Sequence, residues 1–106
     1  MAAVAAFRAA VASKPSAPDP DAQNNLAWLL TLRAKTDAER EAAVLEARQA
    51  VALRPDAPAW DTLGEALLRA GRVGEARDAF EKAIALGAAN PDSIRARLTR
   101  AADGGS

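Results

Sequence analysis

The chain has 106 residues, 14 basic and 14 acidic, so its formal net charge is zero; half of it is apolar and only 4% aromatic. Thirty of the apolar residues are alanine, against 20 Leu, Ile, Val and Phe together, which suits closely stacked helices and excludes an all-β fold. With no cysteine and no histidine, the chain lacks disulfides, thiol chemistry, the commonest general base and the commonest transition-metal ligand.

Proline and glycine divide the chain into helix-length pieces. Ala2–Lys14 predicts a helix ending at Pro15. Met1–Ala12 superficially resembles a signal peptide, but it has no basic start and Arg8 interrupts its apolar run. No feature fixes a compartment; the cytoplasm is slightly favoured because no convincing leader is present. After the connector Ser16–Asp21, Asp19 is a natural N-cap with Pro20 at the first helical position, and the helix is expected over Pro20–Lys35. Leu26, Leu29, Leu30 and Arg33 follow its three- and four-residue spacing. Thr36 or Asp37 caps the next helix, with Glu39 and Glu41 in its first turn, and this helix ends near Arg54 before Pro55. A helix over Ala59–Ala70 is closed by Gly71, one over Val73–Leu86 by Gly87, and a last one covers Asp92–Ala101 before a flexible tail, Asp103–Ser106. Short connections favour antiparallel neighbours, so the expectation is an all-α chain of helix hairpins.

An internal repeat organises these hairpins. Ala43, Ala47, Ala50 and Leu53 recur as Ala76, Phe80, Ala83 and Leu86, shifted by 33 residues, while Leu26, Ala27 and Leu30 recur as Leu63, Gly64 and Leu67, shifted by 37. The four-residue difference is assigned to a longer hairpin turn around Ala34–Ala38. Ala3, Phe7 and Ala10 show the same pattern at the start. Trp60, Leu63, Gly64 and Leu67, then Ala76, Phe80 and Ala83, fall at the spacing W-x2-L-G-x2-Y…A-x3-F, so the chain resembles the tetratricopeptide repeat family. Leu67 replaces the usual tyrosine, the closing proline comes late at Pro91, and residues 20–56 match loosely, with Gln23 in the tryptophan position and Ala27 in the glycine position. The resemblance implies an α-solenoid of about two and a half repeats: a half repeat over residues 1–15, repeats over 20–56 and 57–90, a terminal helix over 91–102, and a tail over 103–106. Small residues at Gly64, Ala76 and Ala83 let helices approach closely, and each hairpin buries its apolar face only against a neighbour.

Nothing points to catalysis. Asp61 and Glu65, one turn apart, could form a carboxylate pair, but such a pair is ordinarily solvated surface, and Gly71-Arg-Val-Gly74 reads as a hairpin turn rather than a phosphate cradle. No enzyme activity, cofactor or metal is expected. The charges are interspersed, and Arg95, Arg97 and Arg100 read as a solvated helix end, so no nucleic-acid partner is expected. No apolar run approaches the roughly 20 residues of a membrane span.

In the family that the chain resembles, the first helix of each hairpin lines a concave groove. That implies a non-catalytic module binding a peptide or partner protein through Asn24, Trp28 and Thr31 in one unit and Asp61, Glu65 and Leu68 in the next. Asn24 offers a hydrogen-bonding amide, Trp28 a large apolar contact, and Asp61 with Glu65 suggests a basic partner. The alternatives stand beside these: Trp28 packed on a neighbouring helix, Asn24 and Asn25 bracing the connector, Asp61 serving its own helix dipole. A lysine, arginine and asparagine clamp for acidic chaperone tails is missing at these places. The rival reading is a structural or self-associating segment of a larger helical-repeat protein, suggested by the start in mid-repeat.

Overall fold

The computed structural model describes residues 19–104, with side chains described through Arg100; the helix expected over residues 2–14 and the last two tail residues lie outside it. The described chain forms α1 (Pro20–Arg33), α2 (Asp37–Leu53), α3 (Ala57–Arg69), α4 (Val73–Ala85) and α5 (Pro91–Gly104), with no strand among the described residues. Each start has a local cause. The Asp19 carboxylate accepts the Asp21 N–H at 3.0 Å ahead of Pro20. Thr36 and Glu39 form a reciprocal capping box at 3.1 Å in both directions. Asp56 accepts the Ala59 N–H at 3.0 Å, so α3 begins at Ala57, two residues before the expected start, with Pro58 inside its first turn. α5 likewise starts at Pro91 and continues to Gly104, into the stretch expected as a tail.

Helices α3 and α4 end in the same way. Gly71 (φ 84°) and Gly87 (φ 93°) adopt left-handed conformations, and the next N–H in each case reaches back six residues inclusive, Arg72 to the Leu67 carbonyl at 2.9 Å and Ala88 to the Ala83 carbonyl at 3.0 Å. α1 and α2 instead end in extended backbone at Ala34 and Arg54.

The expected longer turn in the first hairpin is not found. Residues 34–36 join α1 to α2 and residues 70–72 join α3 to α4, three in each case. The extra residues extend helices: Ala43 lies six positions after the first residue of α2, its counterpart Ala76 three after that of α4. The capping box is the reason, because it starts α2 at Asp37 and converts the additional sequence into almost one more helical turn.

The helices pair as two antiparallel hairpins, α1 with α2 and α3 with α4. Helix α3 packs on both helices of the first hairpin and α5 packs on α4. Leu26, Leu30, Val44, Leu63, Leu67, Phe80 and Ile94 form the bulky part of one continuous core. Between them sit Ala27, Ala43, Ala47, Ala76 and Ala83, all at most 1% exposed, which set helices close together. The tightest approach is at Gly64, where an added Cβ would lie 2.6 Å from the Phe80 ring. In the first hairpin the corresponding residues are Ala27 and Ala47, so a methyl on one helix accompanies loss of the ring on the other. Gln23 stands in the position of Trp60; it is buried and its Nε2 donates to the Glu46 carbonyl at 3.0 Å and carboxylate at 2.8 Å, linking α1 to α2 by polar contacts. Arg48–Glu75 (3.0 Å) and Arg72–Glu41 (2.6 Å) bridge the two hairpins at the surface, where such pairs contribute about 1 kcal/mol or less.

Two expectations follow. Gly64→Ala gains up to about 1 kcal/mol in helix propensity but overpacks the Phe80 ring at about 1–3 kcal/mol, so its urea midpoint falls. Phe80→Leu then costs less in the Gly64→Ala background than in the parent. Separately, the Lys35 and Thr36 backbone N–H groups hold the Glu39 carboxyl below its ordinary 4.5. A folded value below the unfolded one means stabilisation that is complete above the unfolded value and lost as pH falls through the folded value. Urea midpoints of the parent and Glu39→Gln should therefore differ near neutral pH and converge in acid.

Candidate partner-binding surface

Helical geometry places Asn24, Trp28 and Thr31 on one stripe of α1, and Asp61, Glu65 and Leu68 on one stripe of α3. The six residues differ sharply in what they leave free. Trp28 is 38% exposed and is not part of the buried core cluster of the described residues, so a good part of its ring surface is open. Asn24 is half-buried, and its side-chain oxygen is buried without a hydrogen-bond partner. Thr31 is 1% exposed and its hydroxyl donates to the Ala27 carbonyl at 2.7 Å, which leaves it no surface for a partner.

On α3 the two carboxylates are already engaged. Arg97 of α5 donates through Nη2 to Asp61 at 3.2 Å and through Nη1 to Glu65 at 2.5 Å, while Arg69 Nε donates to the other Glu65 oxygen at 2.8 Å. Glu65 is 8% exposed, so its charge sits in partial shelter and depends on these two guanidinium groups. Arg97 also stacks over the Phe80 ring, 5.0 Å from its centroid, and its Nε is buried without a partner. Leu68 is half-buried and lines, with Glu65, Arg69, Arg97 and Arg100, an open hollow of about 360 Å³.

The structure thus gathers Asp61, Glu65 and Leu68 around Arg97, and places Asn24 and Trp28 apart from them on α1. Asp61 and Glu65 do not form a bare acidic pair for a basic ligand; they neutralise an arginine of the same chain. By sequence alone Arg97 reads as part of a solvated helix end. Its distance of 32 and 36 residues from Glu65 and Asp61, close to the repeat interval, is the signal that connects it to them. Arg95 stays at the surface, 3.5 Å from Asp92. Among the described residues no group of three or more His, Cys, Asp and Glu is placed to hold a metal ion, and no helix is long and apolar enough to cross a membrane.

A double-mutant cycle checks the Arg97 contact. Arg97→Met should lower unfolding free energy by about 1–3 kcal/mol, because it leaves Glu65 sheltered with one partner fewer. In the Glu65→Gln background the same change should cost clearly less.

In a comparison with known families, residues 57–90 match the family described as tetratricopeptide repeat. No curated protein and no solved structure matches the chain.

Proposed function

From the match of residues 57–90 to the tetratricopeptide repeat family, we propose that this chain is a non-catalytic module that binds a partner protein through a peptide laid along α1. The repeat is a protein-interaction fold; the finer reading rests on one observation. An indole 38% exposed and an amide oxygen buried without a partner lie one turn apart on the same face of α1. An orphan buried acceptor is costly until a donor reaches it, and a peptide N–H becomes such a donor once a rotation of the half-buried Asn24 side chain turns the oxygen outward. Trp28 beside it supplies the large apolar contact that dominates interface energies. Because Asn24 and Trp28 are carried by a packed helix, little ordering is needed when the peptide arrives.

The partner's charge is a separate matter. Both Glu65 oxygens are taken by Arg97 and Arg69 and Asp61 already faces Arg97, so the proposed ligand is defined by an apolar side chain and a free backbone N–H rather than by positive charge, with Leu68 half-buried on α3.

Peptides selected from a displayed random library against the full chain test this reading. Trp28→Ala should weaken a selected peptide by about tenfold or more, and Asn24→Ala by a smaller factor, with unchanged circular dichroism. Peptides that bind both variants as tightly as the parent overturn the assignment to α1.

A further inference from the structure

The larger concavity lies elsewhere, between the α2–α3 connection and α4. It measures about 750 Å³, within the range of about 300–1,000 Å³ that ligand pockets occupy. Pro55, Trp60 and Leu86 supply its apolar lining, and Asp78, Glu81 and Lys82 its charged rim. One residue on a helix turns the direction by about 100°, so Trp60 faces well away from the Asp61, Glu65 and Leu68 stripe. The cleft is therefore separate from the surface assigned above.

Three features distinguish it from an ordinary gap between helices. First, Trp60 is only half-buried, and the group over its ring is the Lys82 ammonium, 5.3 Å from the centroid. Trp60 packs partly against the core, and the ring surface left over presents a face suited to a cation. Second, Leu86 is 53% exposed at the cleft wall, a large apolar surface left open beside the ring. Third, the carboxylates of Asp78 and Glu81 form no ion pair among the described residues. Nearby, Arg48 pairs with Glu75 at 3.0 Å in the adjoining hollow and Arg54 with Asp21 and Asp56, while Arg77, one turn from Glu81, lines the hollow on the other side of α4 and not this cleft. The rim therefore carries two unpaired carboxylates and one ammonium, and the ammonium is turned onto the indole.

The geometry points to this cleft as a second docking site, taking a peptide segment in which a bulky apolar side chain is flanked by lysine or arginine. The apolar side chain lies between Trp60 and Leu86. The flanking cations meet Asp78 and Glu81, and one of them replaces Lys82 over the indole. Lys82 thus acts as an internal occupant that a cationic ligand displaces.

The test uses the full isotope-labelled chain and two synthetic peptides, acetyl-Lys-Leu-Phe-Lys-amide and acetyl-Glu-Leu-Phe-Glu-amide, followed by amide and indole chemical shifts. The basic peptide should produce saturable shifts of the Trp60 indole N–H and the Leu86 amide, independent of any Trp28 shift that the two peptides share. The acidic peptide should leave Trp60 and Leu86 unmoved. Asp78→Lys with Glu81→Lys, both at exposed positions, should weaken the basic peptide by about tenfold or more, and Lys82→Ala should strengthen its binding. The proposal is overturned if the basic peptide gives no saturable shift at millimolar concentration, if both peptides shift Trp60 alike, or if the shifts centre on Trp28.

Discussion

The missing side chain at Gly64 is the constraint on which the rest of this structure depends. It lets the Phe80 ring lie against the backbone of α3, closer than any Cβ would permit, and this closes the α3–α4 hairpin. Phe80 then becomes fully buried, with Arg97 of the last helix stacked over it. From there the guanidinium reaches Asp61 and Glu65, so one steric allowance on α3 leads through a ring on α4 to the ion pairing of the α3 surface. Burying a phenylalanine side chain contributes about 1.5–3 kcal/mol, more than any surface ion pair in the chain is expected to supply.

That chain of contacts alters what the α3 stripe of Asp61, Glu65 and Leu68 presents at the surface. Read as isolated residues, Asp61 and Glu65 advertise negative charge. In the folded chain they complement Arg97 and Arg69, and the sheltered Glu65 makes their removal a matter of stability as well as recognition. The proposed binding surfaces are therefore α1, where the Asn24 side-chain oxygen has no partner one turn from Trp28, and the cleft of Trp60 and Leu86. The two differ in chemistry: the first offers an acceptor for a backbone N–H, the second two carboxylates around an aromatic floor.

Much of the architecture was legible in the residues. Asp19-Pro20, Thr36 with Glu39, Gly71 and Gly87 act within a few residues of themselves, and each terminus that they predict is found nearby. Gly64, Ala76 and Ala83 were readable as small positions because the repeat register isolates them. The failures share a cause. The additional four residues of the first hairpin look like loop in an alignment of periods, yet the capping box folds most of them into α2. Thr31 has a polar side chain on a surface-like stripe, but its hydroxyl is satisfied by its own helix at Ala27 and can be buried. The pairing of Arg97 with Asp61 and Glu65 depends on where α5 packs, which no local pattern specifies. Gln23 shows the converse: a departure from the repeat pattern that reads as degeneracy is compensated by hydrogen bonds to Glu46.

Hydrogen–deuterium exchange of the full chain, with and without a peptide selected for binding, tests the central claim most directly. The account predicts slowed exchange concentrated in α1, Pro20–Arg33, with the α3 and α5 segments around the Arg97 contacts already protected in the free chain and changing little. Slowed exchange confined to α3 and α5, with α1 unaffected, would contradict it, because the ligand would then be using the acidic pair that the structure assigns to Arg97.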